Sequence, residues 1–103
     1  MEWWDGIWLN EAFASLMEVI SSDATYPEFK LWGDMNLSRS AGFAVDSLQT
    51  SRPVEFEVES PEQAEEMFDA LTYEKGSTVL RMFETFIGEE VFKEGVRLSL
   101  IHI

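Results

Sequence analysis

Apolar residues near the start of the chain recur with the spacing of one helix face. Five of them stand at i, i+4, i+7, i+8 and i+11, namely Leu9, Phe13, Leu16, Met17 and Ile20. Side chains at this spacing lie along one side of an α-helix, where they can be buried together. The pattern therefore predicts a first helix over about residues 7–21, which ends at the polar residues 21–23.

The next stretch predicts a second helix from a weaker pattern. Pro27 suits a first helical turn, and the negative charge of Glu28 is favourable near the same end. The apolar positions that follow are irregular, and Gly33 and Gly42 lower the helix propensity. We expect this helix to break near Gly42 and to stop at residues 51–53.

One segment alternates between apolar and acidic residues. Val54, Phe56 and Val58 are separated by glutamates, which is the period-two pattern of extended backbone. The sequence contains no second convincing strand, and an isolated strand does not make a sheet. We therefore predict an extended arm near residues 53–59 that lies along the surface with its glutamates facing water.

The remainder of the chain also favours helices. Ser60 and Pro61 are typical of a helix start and predict a helix of about two turns. A longer helix is predicted from about Thr72 to Phe86, followed by a stop at Gly88 and a last helix from Glu89. Four apolar side chains of the longer helix are expected to point inward: Val79, Leu80, Phe83 and Phe86. The predicted fold class is mainly α.

Composition limits the possible functions. The chain has 103 residues, which is one domain or part of one. Its net charge of −13 at pH 7 repels phosphate groups, so nucleic-acid binding is disfavoured. It has no Cys, which excludes disulfides, Cys nucleophiles and thiolate metal sites. Its single His, His102, is expected to be a surface residue.

The sequence shows neither a membrane segment nor a targeting signal. No apolar run approaches the roughly 20 residues that a membrane-spanning helix needs. The N-terminal residues lack the basic and then apolar pattern of a signal peptide. The compartment is not identified by these observations, and we favour the cytoplasm.

Two blocks of sequence resemble motifs of one enzyme family. Residues 3–14, WWDGIWLNEAFA, are similar to the W-W-x-x-x-W-L-N-E-G-F-A segment of zinc aminopeptidases of the alanyl and puromycin-sensitive aminopeptidase family. Residues 68–77, FDALTYEKGS, are similar to the F-D-x-I-x-Y-x-K-G-A segment of the same family. The blocks also have the family's order and separation, and the resemblance covers nearly the whole chain.

This resemblance implies a fold, an activity and two site residues. Residues 1–103 would be the helical part of a thermolysin-like metallopeptidase catalytic domain that removes N-terminal residues from peptides. Glu11 would be the third zinc ligand, and Tyr73 would direct its phenol toward the tetrahedral intermediate. Ala12 stands where the family usually has Gly, and Ser77 where it usually has Ala. Both changes keep the side chain small.

Other motifs of the family do not occur in these residues. They are the H-E-x-x-H motif, which supplies two His ligands and the general base, and the G-x-M-E-N segment, which recognises the free amine of the substrate. Only ten residues precede Glu11, fewer than the family places between H-E-x-x-H and the ligand Glu. We therefore expect an internal fragment, a partial catalytic domain that is inactive alone and does not hold zinc tightly.

The residue types suit these roles. Two His and one Glu are a recurrent ligand set of catalytic zinc, which keeps one position open. A neutral phenol such as that of Tyr73 can donate a hydrogen bond to a developing oxyanion. Gly76, one helical turn later, is expected to leave room for the substrate backbone. Spacing alone would make Glu11 a residue that favours the helix dipole and Tyr73 a core residue with a hydrated tip.

Some assignments stay open at this stage. Glu18 could accept a hydrogen bond from a ligand His or be a solvated surface residue, and we favour the second. Trp3, Trp4 and Trp8 are expected to serve packing rather than a pocket, and apolar groups left exposed in a fragment predict self-association. The alternative function is a non-catalytic acidic helical interaction module that kept the scaffold without the metal-binding helix.

Overall fold

The computed structural model describes residues 4–102, so the expectation for Trp3 lies outside the described residues. These residues form five α-helices, three shorter helical segments and no β-strand, which confirms the mainly α prediction. The α-helices are α1 (Ile7–Thr25), α2 (Leu31–Asp46), α3 (Pro61–Glu66), α4 (Gly76–Ile87) and α5 (Glu89–Ile101). Single 3₁₀ turns cover Trp4–Gly6 and Pro27–Phe29, and a π-helix covers Leu71–Lys75. No helix in the described part of the chain is long and apolar enough to cross a membrane.

The first two helices differ from their predicted bounds. Helix α1 is one turn longer than predicted and ends where the N–H of Tyr26 donates to the carbonyl of Ser22 at 2.8 Å. Pro27 begins only a 3₁₀ turn, because Lys30 takes a left-handed conformation with φ of 52° and separates that turn from α2.

The predicted break near Gly42 is wrong. Helix α2 continues through Gly42, which is buried against the chain around Glu74. A Cβ atom on Gly42 would lie 2.8 Å from the Cβ of Glu74, so the glycine allows a close contact. This tertiary packing outweighs the low helix propensity of glycine.

The arm predicted near residues 53–59 is present within a non-helical segment over residues 51–59, which packs on the start of α1. Val58 is 6% exposed and joins Ile7, Ala64 and Met67 in a small core. The N–H of Val58 donates to the Asp5 carboxylate at 2.7 Å. The indole N–H of Trp8 donates to the carboxylate of Glu55 at 3.3 Å. These contacts fix the arm against the segment that carries the first motif.

The second motif adopts a geometry that the sequence did not predict. Helix α3 begins as expected, since the N–H of Gln63 donates to the hydroxyl of Ser60 at 3.3 Å. Gly88, with φ of 93°, separates α4 from α5 as predicted. The single helix predicted over 72–86 is instead a π-helix over Leu71–Lys75 followed by α4.

The predicted inward face of α4 is only partly confirmed. Val79 and Leu80 are half-buried, but Phe83 is 51% and Phe86 is 87% exposed. The first residues of α4, Gly76 and Ser77, are buried where α4 meets α1. Farther along, Glu84 is the buried side chain, and Phe86 faces an open groove beside α2.

Candidate active site

Glu11 lies in the first half of α1 with a half-buried side chain. Its neighbour Ala12 is fully buried. The side-chain amide of Asn10 donates to one Glu11 carboxylate oxygen at 3.2 Å. Within residues 4–102, no lysine, arginine or histidine forms an ion pair with Glu11. Among the described residues, this carboxylate thus accepts a hydrogen bond from Asn10 and has no cationic partner.

Tyr73 lies in the π-helix and is brought next to Glu11. Burial raises the pKa of the Tyr73 phenol, and the nearby Glu11 carboxylate raises that pKa further, first as a hydrogen-bond partner of the neutral phenol and then through its charge. Both effects disfavour the phenolate, because burial removes hydration and the carboxylate repels a second negative charge. The two residues that the motifs singled out are thus neighbours, and the phenol is held in its protonated form.

Asp69 fixes the start of the segment that carries Tyr73. One carboxylate oxygen of Asp69 accepts hydrogen bonds from the N–H groups of Leu71 and Thr72, both at 3.1 Å. The carbonyl of Asp69 accepts from the N–H of Tyr73, also at 3.1 Å. These bonds satisfy donors that a helix start leaves unpaired. The geometry is a π-helix, a rare form that is frequent at functional sites.

An arginine on the extended arm supports the same aspartate. Arg52 donates to the Asp69 carboxylate at 2.6 Å and to the Thr72 hydroxyl at 3.2 Å. Its guanidinium also lies 4.9 Å from the centre of the Phe56 ring. The arm is therefore tied to the π-helix by a charged hydrogen bond, which is stronger than a neutral one.

A second ion pair fixes the far end of the π-helix. The ammonium of Lys75 donates to the Asp46 carboxylate at 2.8 Å and to the carbonyl of Arg52 at 3.2 Å. The hydrogen bond from Lys75, and then that from Ser51, hold the pKa of Asp46 below its usual range. We call Asp46, Arg52, Asp69 and Lys75 the anchor residues.

Sequence reasoning assigned no role to the anchor residues. Asp69 and Lys75 are fixed letters of the second motif, F-D-x-I-x-Y-x-K-G-A, so the motif itself carried a signal for them. Asp46 and Arg52 lie in a segment with no regular pattern and come together with the motif only through the fold.

The role expected for Gly76 is wrong. Gly76 was expected to leave room for a substrate backbone, but it is buried against α1. A Cβ atom at this position would lie 2.7 Å from the Cβ of Ala12. The space next to Gly76 is therefore filled by this chain's own first helix.

The remaining predicted residues lie away from this contact. Glu18 is exposed and lines a shallow cleft with Glu74 and Ser77, and its suggested contact with a ligand His stays a prediction. His102 is exposed, as expected. Trp8 packs on the core, as expected, whereas Trp4 is 47% exposed because it precedes α1 in a 3₁₀ turn at the edge of the molecule.

Of the described residues, Glu11 could supply one ligand of a metal site. Among residues 4–102, no three His, Cys, Asp or Glu side chains form a group that could hold a metal ion. Glu11 offers a carboxylate that no cationic side chain of the described residues neutralises, and a carboxylate oxygen is an accepted zinc ligand. A metal ion bound by Glu11 would need its other ligands from outside the described residues.

Comparison with known proteins decides the family. Residues 1–102 match the Peptidase family M1 domain. The chain belongs to peptidase family M1. The family match thus confirms the resemblance that the two motifs indicated and covers almost the whole sequence.

Proteins similar to this family M1 chain are named as aminopeptidases. The chain is 42% identical over 101 residues to "Probable aminopeptidase 2" of Sulfurisphaera tokodaii and 41% identical over 101 residues to "Puromycin-sensitive aminopeptidase" of Caenorhabditis elegans. It is 46% identical over 99 residues to human "Endoplasmic reticulum aminopeptidase 2". These alignments cover 93–97% of this chain but only 10–13% of the relatives.

Proposed function

We propose that this chain forms part of the active site of a zinc-dependent aminopeptidase, and that residues 1–103 are a partial catalytic domain. Glu11 is a zinc ligand, and Tyr73 donates a hydrogen bond to the substrate carbonyl oxygen as negative charge develops there. The observation that carries this proposal is the packing of α1 against the π-helix, which brings the Glu11 carboxylate close enough to the Tyr73 phenol to raise its pKa. Membership of family M1 and the names of the relatives support the reaction class.

Glu11 has the properties of a metal ligand. Its carboxylate belongs to the 19-residue helix α1, and the next residue, Ala12, is fully buried. The backbone at Glu11 is therefore held firmly. A ligand on a rigid element keeps its geometry better than one on a loop. A zinc ion held there would supply a Lewis acid that polarises a peptide carbonyl.

Tyr73 acts through its protonated phenol. Burial and the Glu11 carboxylate both raise its pKa, so the hydroxyl keeps its proton near neutral pH and can donate it in a hydrogen bond. The anchor residues hold the segment before and after Tyr73. A donor fixed in advance stabilises developing charge without a cost of reorganisation.

The proposed substrate is a peptide with a free N-terminus. The peptidase function is favoured over a non-catalytic interaction module, because the relatives are named aminopeptidases and the two motif residues are neighbours. The preference for the cytoplasm stays a prediction, and one relative is named for the endoplasmic reticulum.

A hybrid enzyme tests these roles. In this hybrid, the chain replaces the matching segment of the puromycin-sensitive aminopeptidase of Caenorhabditis elegans, and the substrate is alanyl-p-nitroanilide. Glu11→Ala should lower zinc content and activity together, since it removes a ligand. Tyr73→Phe should keep the zinc and lower kcat by about 10²–10³-fold, the usual cost of one oxyanion donor, with little change in KM.

Matched substitutions elsewhere serve as controls. Tyr26→Phe changes an exposed tyrosine outside the site, and Glu94→Ala changes a glutamate of α5. Both should leave kcat and zinc content unchanged. An inactive hybrid would refute the proposed function, and loss of zinc in Tyr73→Phe would refute the role given to the phenol.

The chain alone should neither bind zinc tightly nor stay monomeric. Glu11 is a single ligand, and a lone carboxylate competes poorly with hydration of the ion. Large apolar side chains are exposed on several helices, with Leu37 73%, Phe86 87% and Ile101 70% exposed. Calorimetric titration with zinc and sedimentation velocity measure both properties. A stoichiometric sub-micromolar zinc site or a monodisperse monomer would contradict these expectations.

A further inference from the structure

Gly76 and Ala12 form a direct contact between α1 and the start of α4. Ala12 is fully buried, and Gly76 is buried as well. Ala12 follows Glu11 in α1, and Gly76 directly follows the π-helix that holds Tyr73. This contact therefore joins the two segments that carry the proposed site residues.

The contact has no room for another methyl group. A Cβ atom on Gly76 would lie 2.7 Å from the Cβ of Ala12 and 3.5 Å from a ring carbon of Trp8. Carbon atoms in favourable contact are about 3.5–4.0 Å apart. A methyl group at position 76 would therefore force the two segments apart by about 1 Å.

We propose that Gly76 and Ala12 are positioning residues, whose contact sets the distance between the Glu11 carboxylate and the Tyr73 hydroxyl. The geometric part of this inference concerns the chain itself, and its catalytic consequence rests on the proposed function. Small changes in this distance matter, because a displacement of catalytic groups by about 1 Å can lower the reaction rate by about 10²-fold.

The structure supplies a compensating substitution. In Gly76→Ala, the new methyl group collides with the methyl group of Ala12. Removing the latter by Ala12→Gly leaves the Cα of residue 12 at 3.9 Å from the new Cβ and the Trp8 ring at 3.5 Å, which are ordinary contacts. The double variant Gly76→Ala/Ala12→Gly should therefore restore the original separation.

A matched control comes from another glycine. Gly95 lies within α5, and a Cβ atom there would meet no heavy atom within 4 Å. Gly95→Ala makes the same chemical change as Gly76→Ala without any collision. It should therefore leave both the site geometry and the kinetics unchanged.

Crystal structures and kinetics of the hybrid enzyme test the inference together. We expect the Glu11–Tyr73 distance to grow by about 1 Å in Gly76→Ala and to return in the double variant. With alanyl-p-nitroanilide, kcat should fall by about 10²-fold in Gly76→Ala while KM stays within about threefold, and the double variant should recover to within about threefold of the parent.

The two readouts separate the possible failures. An unchanged Glu11–Tyr73 distance in Gly76→Ala would overturn the inference, as would a double variant that folds but keeps the enlarged distance. The latter criterion applies even when the single variant does not fold. The distance could instead grow in Gly76→Ala and return in the double variant while kcat stays the same in both. That result would support the geometric inference and contradict the catalytic roles proposed for Tyr73 and Glu11.

Discussion

The π-helix at Leu71–Lys75 and helix α5 are held in the molecule by different means. Leu71 is 3% exposed and Thr72 is fully buried, and the π-helix contacts α1, α2 and α4. Helix α5 has no buried residue, and Leu98 is 50% exposed. The first segment depends on the fold around it, whereas the second is largely a surface helix.

Their charged groups differ in the same way. The ion pairs of the π-helix region connect distant parts of the chain, namely Arg52 with Asp69 and Lys75 with Asp46. The ion pairs of α5 lie within the helix itself, as in Arg97 with Glu94. Exposed pairs within a helix contribute little to stability. The geometry of the proposed site is therefore set by tertiary contacts, and a comparison of matched substitutions can measure the difference.

The largest expected effect comes from one leucine in each segment. Leu71→Ala leaves a cavity in a buried position and should lower the free energy of unfolding of the chain by about 3 kcal/mol. Leu98→Ala removes the same atoms from a half-exposed position and should cost less than about 1 kcal/mol. Urea unfolding followed by tryptophan fluorescence compares the two. Equal costs would show that the π-helix is no better packed than α5.

The next comparison concerns one acid in each segment. Asp69→Ala removes acceptors for the N–H groups of Leu71 and Thr72 and leaves Arg52 without its carboxylate partner. The expected loss is about 2 kcal/mol of unfolding free energy, from the lost cap and the lost charged hydrogen bond. Glu94→Ala breaks only an exposed pair and should cost less than about 0.5 kcal/mol. The same urea experiment measures both, and a cost below 0.5 kcal/mol for Asp69→Ala would remove it from the anchor residues.

The contrast also explains what the sequence could predict. Helix α1 and the cap at Ser60 follow from local spacing, and both are present in the structure. The continuation of α2 through Gly42 does not follow from propensity, because the contact of Gly42 with Glu74 is a tertiary one. The π-helix likewise depends on Asp69 and on its partner Arg52 from the arm.

The same distinction holds for the proposed site. The motifs pointed to Glu11 and Tyr73, and the fold places the two side by side. Spacing alone suggested that Gly76 faces a substrate, because a residue one turn after Tyr73 shares its face in a regular α-helix. In the fold, however, α1 packs against this part of the chain, and Gly76 meets Ala12.

A smaller effect is expected on the ionisation of Tyr73 in the metal-free chain. Burial, and then the Glu11 carboxylate, raise its pKa above 10.0. Glu11→Gln should therefore lower the Tyr73 pKa, while burial keeps it above the ordinary value. The raised pKa also means that the folded chain loses stability as the pH rises through that pKa. Tyrosinate absorbance in a Tyr26→Phe background measures Tyr73 alone, and an unchanged pKa in Glu11→Gln would contradict their proximity.

The smallest expected effect is the acid sensitivity of the Lys75–Asp46 pair. The hydrogen bond from Lys75 is the largest cause that lowers the pKa of Asp46 below 3.8. The pair therefore stabilises the fold above that pH and loses its contribution as the pH falls through the lower folded pKa. Lys75→Met should destabilise the chain near pH 6 and should cost less in strong acid, as the pH falls through the lowered pKa of Asp46. Lys93→Met, which breaks an exposed pair with Glu89 on α5, should have little effect at either pH. Urea unfolding near pH 6 and in strong acid measures the difference. If the cost of Lys75→Met does not shrink in acid, Lys75 stabilises the site through its packing and its bond to the Arg52 carbonyl rather than through Asp46.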